Sequence, residues 1–218
     1  MKVRFLFYKA KFEWRSFLKT RKIHLIDDAI NVWTLLINLP GVVWQERSWN
    51  VKKWGKAVWQ FIKECYSHVE VWLPDEYGRF YDEAESLGHF PVHAYFGTCY
   101  TSTMRDDEKG TCSRPASEVI KHPERWEYKE FDITPWQYHI GLVWMQKQVK
   151  LNKGYGFKNY GRFFGLGKII YDRWKNICSQ FTHNYAVMVF IFSMPFKIVS
   201  PRRLSRLLPG KMQRLIDA

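Results

Sequence analysis

A chain of 218 residues with a formal charge of +13 and a pI near 9.6 is long enough for one domain with insertions, and its charge favours anionic surfaces: nucleic acid, acidic lipid or an anionic polymer such as cell-wall material. At 46% hydrophobic and 18% aromatic, with 11 Trp, 12 Tyr and 16 Phe, it is excluded from the disordered class and can fill a sizeable core. Four cysteines (Cys65, Cys99, Cys112, Cys178) lack CxxC spacing and are too sparse for a disulfide scaffold, so free thiols in a reducing compartment are expected.

The N-terminal stretch Met1-Lys2-Val3-Arg4-Phe5-Leu6-Phe7-Tyr8-Lys9 is interrupted by charge too often for a secretory signal, and its β-branched and aromatic residues from Val3 to Tyr8 predict a strand. A basic segment follows to about Lys22, read first as a solvated face and second as a phosphate-binding patch. Asp27-Asp28 can cap a helix with Ile30, Trp33 and Ile37 on one side, ending near Pro40-Gly41. Asn50 can cap another, with Val51, Trp54, Val58, Phe61, Ile62 and Cys65 opposite Lys52, Lys53, Lys56 and Lys63. Such a basic, Trp-bearing stripe docks on its own domain or lies on a membrane surface, the first reading being preferred.

Cys65 to Leu73 alternates and predicts a strand stopped by Pro74-Asp75, with further short strands at 78–81, 92–96 and 98–102. Residues 104–115 read as a polar loop and Trp126 to Phe131 as one more strand. Thr134 as N-cap and Pro135 at the first helical position open a helix through Ile140, Val143, Trp144 and Leu151, which Asn152 and Gly154 close. Residues 155–175 read as a Gly-rich, aromatic loop with a short helix. A buried helix over Phe181 to Phe192 follows, closed by Pro195, and then a basic C-terminal helix, Arg202 to Leu208. The longest apolar run, roughly Tyr185 to Phe196, is shorter than the ~20 residues that span a bilayer, so the chain is expected to be soluble, cytoplasmic and without a transmembrane segment. Strands in the middle flanked by helices predict an α+β fold.

Two stretches carry the chemistry. Cys178 sits at the approach to the buried helix, where unpaired backbone N–H groups and the positive helix end favour thiolate over thiol. Alone, it reads more simply as a small buried hydrophobe. His68 and Glu70, two apart on a strand, share one face, so the carboxylate can set the tautomer or favour the charged form of the ring. If that face meets the start of the Cys178 helix, the three residues make a thiol nucleophile, a base and an acidic orienter, with the Cys178 N–H as an oxyanion donor. Spacing alone does not bring the two segments together. Other constellations carry less. Pro91 breaks a helical pairing of His89 with His93, and Cys99 with Cys112 fits no zinc spacing. Asp106-Asp107-Glu108 reads as a solvated loop, and Gly165-Leu166-Gly167-Lys168 lacks the full phosphate-loop spacing. No metal and no cofactor are expected.

The ordered pieces Tyr66-Ser67-His68-Val69-Glu70, Cys99-Tyr100-Thr101-Ser102, Pro123-Glu124-Arg125-Trp126-Glu127-Tyr128, Gly154-Tyr155, Asn176-Ile177-Cys178-Ser179-Gln180 and Val199-Ser200-Pro201-Arg202-Arg203-Leu204 together resemble the circularly permuted papain-fold thiol hydrolases. That group includes relatives of the NlpC-type cell-wall peptidases and of lecithin:retinol acyltransferase, and the resemblance is closest to its phage- and bacterium-borne members. It implies a single permuted papain-like domain over 1–218, with a central antiparallel sheet packed against the nucleophile-bearing helix and a helical, Trp-rich insertion over 36–64. It implies Cys178 as nucleophile, His68 as base, Glu70 as acidic partner and Tyr155 as a site-lining residue. The chain departs from its relatives at Gln180, where an acidic residue is common, and at Gly156, where an aspartate is. The expected activity is cleavage of an amide or peptide bond, in cell-wall peptide as first guess, through a Cys178 acyl-enzyme. A phage enzyme of this kind is virion-associated or released by lysis. The alternatives are a lipid-directed acyltransferase or thioesterase with the same site, and a non-enzymatic phage structural or interaction protein using its basic surface.

Overall fold

A computed structural model of the chain describes residues 1–9, 66–74, 95–103, 109–152, 154–156, 177–191 and 200–217. The chain divides into two compact units, one of residues 1–7 with 68–218 and the other of residues 8–67. In the second, the described residues are Tyr8, Lys9, Tyr66 and Ser67, all extended. The basic segment after Lys9, both helices predicted before residue 65 and the 36–64 insertion lie outside the described residues, as do the strand at 78–81, His89, His93 and residues 157–176.

The described elements mix helices with an antiparallel sheet. Strands β1 (Lys2–Lys9), β2 (Tyr66–Leu73), β3 (Thr98–Thr103), β4 (Gly110–Pro115), β5 (Trp126–Asp132) and β6 (Gln213–Arg214) form one sheet in the order β4-β3-β2-β1-β5-β6. Helices α1 (Ala116–Val119), α2 (Pro135–Leu151), α3 (Cys178–Met188) and α4 (Pro201–Leu207) accompany it, and α3 packs on β3, α2 and α4. Antiparallel pairing joins β2 to β3, β3 to β4 and β5 to β6. Among the described residues no helix is long and apolar enough to cross a membrane.

Both faces of β1 are covered, since Phe5, Leu6, Phe7 and Tyr8 are buried in succession, and this suits its place between β2 and β5. Phe5 is fully buried and meets Phe131 of β5 at 5.3 Å and Tyr185 of α3 at 6.0 Å, edge to face, so it joins strand to helix. Its neighbour Arg4 points the other way. The guanidinium lies 4.6 Å from the Trp72 ring centroid and 5.2 Å from that of Tyr128, and its Nε donates to Glu130 Oε2 at 2.6 Å. One side chain thereby ties β1 to both strands that flank it. On the helical layer, Gly141 permits close approach, since a Cβ there would stand 2.6 Å from Tyr185 Cε2.

The helix predicted from Thr134-Pro135 runs over Pro135–Leu151. Thr134 accepts from the Gln137 N–H while Gln137 Oε1 accepts from the Thr134 N–H, a full capping box. The helix predicted over Phe181 to Phe192 instead starts three residues earlier, at Cys178, and its first turn buries Ser179 and Gln180 despite their polarity. It ends at Met188, and Phe190 takes a left-handed φ of 57° just beyond. The C-terminal helix is capped by Ser200, whose hydroxyl accepts from the Arg203 N–H. Two expectations fail. The loop predicted over 104–115 contains β4, which pairs with β3 along its whole length. The strand predicted over 92–96 is absent from its described part, since Tyr95 and Phe96 are irregular.

Gly97 makes the bend into β3 possible. It has φ +96°, and a Cβ there would fall 2.0 Å from the Leu73 carbonyl oxygen, while its own carbonyl accepts from the Ala116 N–H. Gly97→Ala is expected to cost roughly 3 kcal/mol, read as a lower denaturation midpoint. Gly210→Ala, at φ +83° with nothing within 4 Å, should cost only about 1 kcal/mol.

Candidate active site

Strand parity sets the first half of the site. His68 and Glu70 alternate with Val69 and Val71, both fully buried, along β2, and all eight residues of this strand are buried. His68 Nε2 meets Glu70 Oε1 at 3.1 Å, with side chains 6% and 1% exposed. From the adjacent strand, Thr101 donates its hydroxyl hydrogen to the Val69 carbonyl at 3.0 Å, which leaves its oxygen, 3.4 Å from His68 Nε2, as an acceptor. Both neighbours of Nε2 are thus acceptors, and the network assigns the ring proton to that nitrogen. Glu70 Oε1 receives a second donor, Arg114 Nη2 of β4, at 3.2 Å.

The second half comes from α3. Cys178 is its first residue, preceded by Ile177 in extended conformation with no side-chain cap. The thiol is 1% exposed, and burial pushes its pKa up. Against burial act the charge of His68, a hydrogen bond to its ring, and the backbone N–H groups of Val69 and Ser179. The balance falls below the ordinary thiol value. The two segments that spacing left separate therefore meet: Cys178 contacts the His68 ring, and the ring contacts Glu70.

Tyr155 forms an isolated bridge at intermediate exposure. Its neighbour Gly154 lies against Gly110, which pairs with Thr103, two residues from Thr101. Tyr155 thus belongs to the end of the sheet that carries His68. Gln180, in the first turn of α3, is buried.

Sequence reasoning missed Thr101, the Val69 and Ser179 N–H groups, and Arg114. Thr101 stood in a quoted motif without a role. Arg114 stood in a segment read as loop, and no local pattern pointed to it. Cys99 and Cys112 are free and buried. The Cys99 thiol is pushed well up, first by burial and then by the Glu70 charge, so it contrasts with Cys178 in the same molecule. Among the described residues no group of three or more His, Cys, Asp or Glu is placed to hold a metal ion.

No family model matches the chain, and neither a curated protein nor a solved structure matches it. The chemistry of the site therefore stands on its own geometry.

Removing the imidazole while leaving the thiol buried reverses the balance. Titration of the Cys178 thiolate by ultraviolet absorbance, as the difference from Cys178→Ser, is expected to give a midpoint below that of a free thiol. His68→Ala should raise it, because burial then outweighs the remaining backbone N–H groups.

Proposed function

We propose that this chain is a cysteine-dependent hydrolase of the permuted papain-like type, cleaving an amide or peptide bond through an acyl-enzyme on Cys178. The observation that carries the reading is the arrangement itself: Cys178, the first residue of α3, contacts the His68 ring, whose Nε2 meets Glu70 Oε1 at 3.1 Å, and this contact opposes the effect of burial on the thiol. A buried cysteine with only a packing role would show the opposite shift, as Cys99 does.

The proposed sequence of steps uses the chain's own groups. With Nε2 engaged by Glu70 and Thr101, His68 takes the thiol proton on Nδ1. The thiolate attacks the carbonyl carbon, and the oxyanion that forms is met by the Cys178 N–H at the start of α3. His68 returns the proton to the leaving amine as the C–N bond breaks, which leaves a thioester on Cys178. Water then gives a proton to His68 and its oxygen to the acyl carbon, the C–S bond breaks, and the carboxylic acid leaves with the thiol restored. Glu70 holds the ring and favours its charged form between the two proton transfers. Tyr155 is proposed to line the substrate side.

Cell-wall peptide is the first substrate class to test, since a net charge of +13 suits an anionic polymer. A second reading keeps the same thiol chemistry and takes a lipid acyl group. It is favoured by Trp136 and Phe190, which are 60% and 70% exposed and stack at 6.0 Å, an exposed aromatic pair whose indole is of the kind enriched at a lipid–water boundary.

Incubation with activated peptide and fatty-acyl esters, followed by intact-mass analysis, separates the two readings. One acyl mass on the Cys178 peptide is expected, from peptide esters under the first reading and fatty-acyl esters under the second. The adduct should be absent from Cys178→Ala and slowed about 100-fold or more in His68→Ala. Equal adduct formation in Cys178→Ala would rule out the proposed nucleophile.

A further inference from the structure

Trp136 and Phe190 form an aromatic pair that packing does not account for. Trp136 stands in the first turn of α2 and Phe190 just beyond the end of α3. Their ring planes stack 13° apart, yet the residues stay 60% and 70% exposed. Phe190 also holds its left-handed φ of 57°, a conformation in which glycine is at ease and a bulky residue is not. Gln137 ties the two positions together. Its Oε1 closes the capping box of α2, and its Nε2 donates at 2.7 Å to the carbonyl of Val189, the residue before Phe190. The rings are thus held in place without being covered.

The pair heads a stripe along α2. His139, Val143, Gln146, Lys147 and Lys150 follow Trp136 at spacings of three and four residues, so they share one side of the helix, and all are exposed. At ~1.5 Å of rise per residue the stripe is roughly 20 Å long, aromatic at one end and basic at the other, with Val143 between. No Asp or Glu occurs in α2, in α3, which packs on it, or in α4, which packs on α3. The nearest carboxylate along the chain is Asp132, ahead of the Thr134 cap. Among the described residues neither Lys147 nor Lys150 has a carboxylate partner.

A convex helix face of this kind suits a plane better than a strand. Single-stranded nucleic acid takes a groove lined by free ring faces. Here each ring gives one face to the other, and the next apolar residue, Val143, is aliphatic. An anionic bilayer surface uses all three features, with the rings at headgroup level, the valine against the acyl boundary and the lysines on lipid phosphates. We infer that the face of α2 headed by Trp136 and Phe190 docks this protein on an anionic lipid surface. The inference goes beyond the reading of Cys178 and does not rest on it, since docking is compatible with either substrate class.

Co-sedimentation of the full chain with vesicles, of phosphatidylcholine alone or mixed in equal parts with phosphatidylglycerol, tests it. Phe190→Gly removes a ring where the backbone suits glycine, so its thermal melt should stay near wild type while its affinity for the mixed vesicles falls about tenfold. Trp136→Gln, at the other exposed ring, should lose about as much. Lys147→Gln with Lys150→Gln should weaken binding to the mixed vesicles roughly 30-fold and leave binding to phosphatidylcholine unchanged. Cys178→Ala should bind as wild type does, so vesicle binding and acyl-adduct formation fail separately. Non-specific attraction of a basic chain to anionic lipid would not depend on the rings. Wild-type vesicle affinity in both Phe190→Gly and Trp136→Gln therefore overturns the inference. So does a loss in these variants of binding to a single-stranded oligonucleotide with vesicle affinity unmoved, which would assign the face to nucleic acid.

Discussion

The contest at one sulfur governs the rest of the structure. Cys178 is almost wholly buried, and burial alone pushes a thiol toward its neutral form. The His68 ring and the N–H groups of Val69 and Ser179 more than reverse that push. Three of the four contributions come from β2 and one from the first turn of α3, so the balance exists only while strand and helix hold their register. A small slip of either would leave burial unopposed and return the residue to an inert buried cysteine.

What keeps that register is β1, which is engaged on both faces. Phe5 joins the sheet to α3 through Tyr185, and Arg4 joins it to β2 through Trp72 and to β5 through Tyr128 and Glu130. Individually these are contacts of about 0.5–2 kcal/mol. Their value is placement, since they fix the strand that lies beside the one carrying His68. Gly97 does the equivalent work at the other edge of β2. It turns the chain so that β3 brings Thr101 to the ring. The carboxylate, ring and thiol then form a line of contacts from the β4 side of the sheet to the helix, with Arg114 at its outer end.

Much of this was legible in the residues, and the reasons differ. His68 and Glu70 were readable because a period of two puts alternate side chains on one face whatever the partner strands do. Thr134-Pro135 marked its helix because capping is local chemistry. Cys178 could be placed at a helix start only approximately, since Ser179 and Gln180 read as an approach rather than a buried first turn. β4 was missed because Gly110-Thr111-Cys112-Ser113-Arg114-Pro115 has no large apolar residue and ends on proline. At an edge of the sheet, pairing with β3 decides the conformation, and that pairing is not local information. Arg114 was lost with it. The meeting of Cys178 with His68 lay beyond any spacing argument, because it depends on how α3 packs on the sheet.

The central claim is that Cys178, although as buried as Cys99, works as an activated nucleophile rather than as packing. Competitive labelling with a small electrophile near neutral pH, read by mass spectrometry at Cys178, Cys99 and Cys112 in the folded and the denatured chain, tests it most directly. Cys178 should react faster folded than denatured, while Cys99 and Cys112, both buried and free, react more slowly folded. Protection of Cys178 by folding, to the same degree as the other two, would contradict the account.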